Sequence, residues 1–227
     1  DMVYAMRMDL AYSSHQWMRR EFARDLLFVW DEGTWQLQCS LGQDYWHLIR
    51  TQIQGHATLG RQYPDYKYGV EGDTPSFLNV IPNGLHNPEE PMQVGWGGYH
   101  IWTMTKDSTT CAWTSWQEPV KSISETYYRQ FYPSQLNDFI ARIEWAEKGQ
   151  GNRNPVAVVN GENGTDAIVI MAKAGQTISL DASASFDPDG DGLTFKWWQQ
   201  DGISQAKATV SNAPSSTVKV DLPPTFA

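Results

Sequence analysis

The feature that most constrains this chain is a change of texture near residue 150. Before it, amphipathic helical patterns alternate with a compact apolar run; after Pro155, short apolar stretches are separated by Gly, Asn, Asp and Pro turns. The first texture is that of an α/β sheet with crossover helices, and the second is that of a β-sandwich. With 227 residues, each half is large enough for its own core. The expected organisation is residues 1–150 as the C-terminal part of an α/β domain, 151–155 as a linker, and 156–227 as an all-β sandwich.

Within the first part, residues 14–24 read as a short helix capped by Ser14, with Trp17, Met18 and Phe22 on one face. Residues 26–30, Leu-Leu-Phe-Val-Trp, form an unbroken apolar run of strand length that ends at the turn formers Asp31, Glu32 and Gly33. A strand buried on both faces has that pattern. A second helix is expected over residues 43–54, carrying Tyr45, Trp46, Leu48, Ile49 and Ile53. Residues 71–78 read as a loop leading into a helix, with Thr74 as N-cap and Pro75 at the first helical position. Residues 82–117 read as one long loop, and residues 134–147 as a last helix capped by Ser134.

In the second part, strands are expected at 156–159, 168–172, 177–180, 193–199, 208–210 and 217–220. An immunoglobulin-like module would need a further strand or two beyond Ala227, so the sandwich is expected to be incomplete. The chain opens in mid-pattern at Asp1 and is expected to be a piece of a larger protein.

Lys and Arg total 17 against 26 Asp and Glu, a net charge of −9, with no basic run to meet a phosphate backbone. Nucleic acid is therefore excluded as an expected partner. No stretch approaches the roughly 18 unbroken apolar residues of a membrane span. The two cysteines, Cys39 and Cys111, fit a disulfide, two buried thiols or coincidence equally well. An N-glycosylation triplet, Asn163-Gly164-Thr165, adds slight support for secretion. The 11 Trp and 10 Tyr are far above ordinary usage; most belong in cores, but flat rings are also surfaces on which sugars and nucleobases stack.

Chemistry concentrates at two places. Glu71 and Asp73 flank a glycine in a strand-to-helix loop, where open α/β sheets present ligand groups. They could hold a metal, act as acid and base, or simply sit at the positive end of a helix, which is the plainest reading of two carboxylates. Asp187, Asp189 and Asp191 alternate with Pro188 and Gly190. Such a run fits a tight Asp/Gly turn and a weak Ca²⁺ loop equally, and Trp198 at the twelfth position excludes an EF-hand. The 95–98 segment, Gly-Trp-Gly-Gly, allows close backbone approach beside a large ring. No nucleophile elbow, P-loop, Cys-x-x-Cys or His-Glu-x-x-His is present.

Taken in order, residues 71–78 (Glu-Gly-Asp-Thr-Pro-Ser-Phe-Leu), 81–85, 95–98, 137–142 and 154–161 resemble a family of secreted proteins that are nucleoside hydrolase-like and cellulose-binding. The run from Leu180 to Trp198 resembles that family's immunoglobulin-like C-terminal module and, more loosely, PKD repeats. The resemblance implies a doubly wound, nucleoside hydrolase-like domain followed by the sandwich. It implies Ca²⁺ as cofactor, with Asp73 as a late metal ligand and catalytic residue and Glu71 beside it in place of the usual histidine. It also implies substrate contacts at Asn83, Trp96, Gly97 and Gly98. The aspartate cluster that nucleoside hydrolases carry after their first strand has no counterpart here, and Tyr99 stands where an arginine is usual.

The implied ligand is a carbohydrate or nucleoside-like molecule, and the implied location is extracellular. Three readings follow: a secreted enzyme cleaving N-glycosidic bonds or binding glycans; a noncatalytic carbohydrate-binding or adhesion protein; and an assembly subunit, a homo-oligomer among the options, whose sheet edge is completed by strand addition.

Overall fold

The structure is a computed structural model. It describes residues 2–6, 13–22, 25–31, 34–65, 75–81, 83–106, 108, 111–200, 202–204 and 206–225. The chain divides into two compact units, Asp1–Gly151 and Asn152–Ala227.

The first unit is built on a four-stranded sheet of β1 (Met2–Met6), β2 (Leu27–Asp31), β3 (Ile101–Met104) and β4 (Cys111–Thr114), in the order β1-β2-β4-β3. Strand β2 runs parallel to β1, with Met2 opposite Leu27 and Met6 opposite Asp31, and parallel to β4, with Val29 opposite Trp113. Strand β3 closes the edge antiparallel to β4. Phe28, Val29, Trp30 and Asp31 are all buried, which is what a continuous apolar run in a central parallel strand requires. The expected single loop over residues 82–117 is thus corrected, since it contains both β3 and β4. Ile-Trp-Thr-Met and Cys-Ala-Trp-Thr are rich in β-branched and aromatic residues, and pairing of β4 with β2, and of β3 with β4, gives them a pleated surface to fill.

The helices are α1 (Ser13–Glu21), α2 (Thr34–Asp44), the short α3 (Trp46–Leu48), α4 (Ala57–Gly60) and α5 (Val120–Lys148). A π-helical turn covers Ile49–Ile53, and a 3₁₀ turn covers Pro75–Asn79 where a helix was expected. Helix α5 begins at Val120, not at Ser134, and carries Pro133 in its interior. A proline there costs about 3 kcal/mol in lost hydrogen bonding and ring clash. Tyr128, Phe131, Tyr132 and Leu136 around it are buried, each contributing about 1.5–3 kcal/mol, so tertiary packing overrides the breaker. The helix ends at Gly149 in the left-handed region (φ 62°), whose N–H donates to the Trp145 carbonyl at 2.8 Å.

Helix α5 serves two cores. Tyr128, Tyr132, Leu136 and Ile143 pack with Leu37 and Leu41 of α2, Ile49 and Ile53 of the π turn, and Leu78. Val120, Tyr127 and Phe131 pack with Val94 and Tyr99. A third cluster joins Phe28, Trp30 and Ala112 to Met18 of α1. Among the described residues, no helix is long and apolar enough to cross a membrane.

The second unit contains β5 (Thr177–Asp181), β6 (Thr209–Ser211) and β7 (Thr217–Asp221), antiparallel in the order β5-β7-β6. The strands expected at 168–172 and 193–199 are not formed among the described residues. Of 156–159, only Val156 and Val159 make single bridges, to Phe186 and Glu162. Ile168, Val169, Ile170 and Met171 are all exposed, Met171 by 90%. A short apolar run becomes a strand only where another strand lies beside it. Trp197 is half-buried, with its ring N–H donating to the Ser215 carbonyl at 2.8 Å, while its neighbour Trp198 is exposed.

Candidate functional site

Parallel α/β sheets present ligand groups beyond the carboxyl ends of their strands. At that end of this sheet stand Asp31, the last residue of β2, and Thr114, the last residue of β4, both essentially without solvent exposure. Trp30 pairs with Thr114, so Asp31 lies level with Ser115, which is also buried. Sequence reasoning took Asp31 for a turn former and overlooked Thr114. The available signal was a carboxylate directly terminating a buried apolar run. Glu71 and Asp73 lie outside the described residues. The 3₁₀ turn that follows them in sequence, Pro75–Asn79, packs beside β1.

The 95–98 segment is closed by reciprocal hydrogen bonds, Gly95 N–H to the Gly98 carbonyl at 2.9 Å and Gly98 N–H to the Gly95 carbonyl at 3.1 Å. The space beside its glycines is occupied by the protein's own side chains. A Cβ on Gly95 would lie 2.3 Å from His86 Nδ1, one on Gly97 2.7 Å from Asn79 Oδ1, and one on Gly98 2.3 Å from Ser124 Cβ. Gly98 also has φ +86°. Trp96 is half-buried against two of the cores. Asn83 Oδ1 accepts the Leu85 N–H at 3.1 Å, which is local turn chemistry. Gly97 and Gly98 thus allow close approach of helix α5 and the 75–79 turn.

Two buried histidines belong to the same region. His86 Nε2–H donates to the Asn79 carbonyl at 2.7 Å, leaving Nδ1 against Gly95. Burial lowers the His86 pKa, partly offset by that hydrogen bond. His100 is pushed down to about 3 by burial, with the nearby His86 adding to the effect. Both rings are therefore neutral at pH 7.

At the opposite, amino end of β2 and β4 lies an open cleft of about 500 Å³ whose walls include Arg19, Phe22, Phe28, Trp102, Cys111 and Trp113. Trp102 is 60% exposed and meets Trp113 edge-to-face, with ring centroids 5.9 Å apart. Arg19 reaches across from α1: Nη2 donates to the Cys111 carbonyl at 3.0 Å, and the guanidinium sits 5.5 Å over the Phe28 ring. Cys39 and Cys111 are not joined in a disulfide.

In the second unit, Asp187 Oδ1 accepts the backbone N–H groups of Asp189 (2.8 Å) and Asp191 (3.4 Å), and Gly190 turns the chain at φ +84°. Asp189 binds Arg153 through the backbone N–H at 2.6 Å and the guanidinium at 3.2 Å. Among the described residues, no three His, Cys, Asp or Glu side chains gather as a metal site would require.

A mixed sheet, parallel through β1, β2 and β4 and with buried polar groups at its carboxyl end, is followed in the chain by an antiparallel unit, an arrangement of the α/β-plus-β class. Residues 2–100 match the family model described as cellulose-binding Sde182, nucleoside hydrolase-like domain. Residues 177–227 match the model described as cellulose-binding protein Sde0182, C-terminal domain. Both matches are to domain models of one nucleoside hydrolase-like, cellulose-binding family, in chain order. A solved structure similar to it is that of a nucleoside hydrolase-related hypothetical protein from Saccharophagus degradans, associated with carbohydrate metabolism. The two are 29% identical with a TM-score of 0.78 over 98% of this chain. The chain spans about half (55%) of that structure's length. Among curated proteins there is no significant match.

Proposed function

We propose that this is a secreted, carbohydrate-associated protein that binds glycans, cellulose foremost. The observation that carries this reading is that both units match, in chain order, the two domain models of one family described as cellulose-binding. The exposed Trp17 and Trp102 of the first unit support it, because flat rings facing water are surfaces on which sugars stack. Retention of the purified chain on microcrystalline cellulose, above that of an inert protein of similar charge, is the expected result. Elution of all of it in the unbound fraction would sink the reading.

The catalytic version of this reading rests on Asp73 and Glu71. Within this chain a Ca²⁺ ion would rest on Asp73, with Glu71 beside it, and when bound would engage sugar hydroxyls and activate water. Asp73→Asn should then weaken Ca²⁺ binding at least tenfold by calorimetry, and equal affinity in the variant removes Asp73 from the site. The antiparallel β5-β7-β6 sheet and the anchored Trp197 support reading the second unit as an immunoglobulin- or PKD-like accessory module.

A second reading is favoured by the exposed apolar residues 168–171, which would suit an assembly subunit completed by strand addition. It predicts a dimer or larger species by light scattering at micromolar concentration. A strict monomer ends it.

A further inference from the structure

We propose that the cleft at the amino ends of β2 and β4 is a sugar-ring subsite, distinct from the carboxyl-end region where a nucleoside hydrolase-like fold would do chemistry. The proposal rests on the carbohydrate reading above and assigns it a place.

Leu27 and Phe28 open β2, and Cys111 and Ala112 open β4, all four on the cleft wall. Asp31 and Thr114 close the same strands. At about 3.3 Å per residue, the two ends of β2 are roughly 13 Å apart. Ligand at one end leaves the other open.

The lining of the cleft suits a sugar. The pyranose ring of a β-linked glucan has flat C–H faces and a rim of equatorial hydroxyls, so its receptor needs aromatic faces with hydrogen-bonding groups at their edges. Trp102 lies on the edge strand β3, is 60% exposed as a residue, and meets Trp113 edge-to-face. That contact covers part of the ring and leaves most of the residue open to solvent, where a sugar face can stack on it. Arg19, fixed by the Cys111 carbonyl and the Phe28 face, places a planar fork of N–H donors on the same wall. At about 500 Å³ the cleft falls within the roughly 300–1,000 Å³ of small-ligand sites.

The test uses the full 227-residue chain with cellohexaose and microcrystalline cellulose. Trp102→Ala should weaken cellohexaose binding at least tenfold by calorimetry and abolish retention on cellulose, with an unchanged melting temperature. A wild-type readout accompanies it: Cys111 lines the cleft and Cys39 does not, so saturating cellohexaose should slow maleimide labelling of Cys111 several-fold and leave Cys39 unaffected, as resolved by peptide mass. If the wild type binds cellulose, but Trp102→Ala binds equally and Cys111 is not protected, the cleft assignment is overturned and the carbohydrate reading stands. If the wild type fails to bind either glycan, both fall together. Protection of Cys111 by adenosine but not by cellohexaose also overturns the proposal, by making the cleft a nucleobase site.

Discussion

At the scale of single residues, the 95–98 segment is held by what fills the space beside its glycines. Gly98 combines φ +86° with a Cβ position only 2.3 Å from Ser124 Cβ, so Gly98→Ala adds backbone strain and overpacking together. The expected loss is roughly 3 kcal/mol, measured by urea unfolding. Ser124→Ala should not rescue it, because the clash is with a Cβ that the alanine keeps. His100 makes a second prediction. Its folded pKa, about 3, lies below the value of about 6.5 it takes when unfolded, so the unfolded chain binds the proton the folded chain refuses. Its contribution is complete above pH 6.5 and is lost as pH falls, costing about 2 kcal/mol between pH 7 and pH 5. His86 adds in the same direction. Denaturation midpoints at the two pH values should show the loss, and His100→Gln should flatten the dependence.

At the scale of elements, helix α5 and the short turns facing it decide stability. Leu78, in the 3₁₀ turn, is fully buried in the cluster that joins α2, the π turn and α5. Leu78→Ala should cost about 2–5 kcal/mol, since the surrounding helices cannot collapse into the space. Pro133→Ala should do the opposite and stabilise by up to about 3 kcal/mol in thermal unfolding, because the helix passes through the proline anyway. What the sequence offered was uneven here. The apolar run of β2 was legible because it is a local signal, a strand length bounded by turn residues. The start of α5 at Val120 was not, since a helix buried on two sides has no clean polar face and Pro133 imitates a boundary. Strands β3 and β4 were hidden for a related reason: their threonines look like loop until β2 pairs with β4 and β4 with β3.

At the scale of the molecule, the two units carry separate cores, the first built on α5 and the second on Val158, Ala182 and Val218. Calorimetry should resolve two transitions, with Leu78→Ala lowering only one and Val218→Ala only the other. The change of texture near residue 150, the buried central strand and the family motifs of residues 71–85 and 95–98 could all be read from the sequence alone, because composition, periodicity and motif spacing are properties of neighbouring residues. Tertiary structure alone decided that the space beside Gly97 and Gly98 is filled by Asn79 and Ser124, that Asp31 and Thr114 end neighbouring strands at the carboxyl side of the sheet, and that Arg19, Trp102, Cys111 and Trp113 line one cleft. Those juxtapositions join residues far apart in the chain, and strand order and helix packing, not local propensity, bring them together.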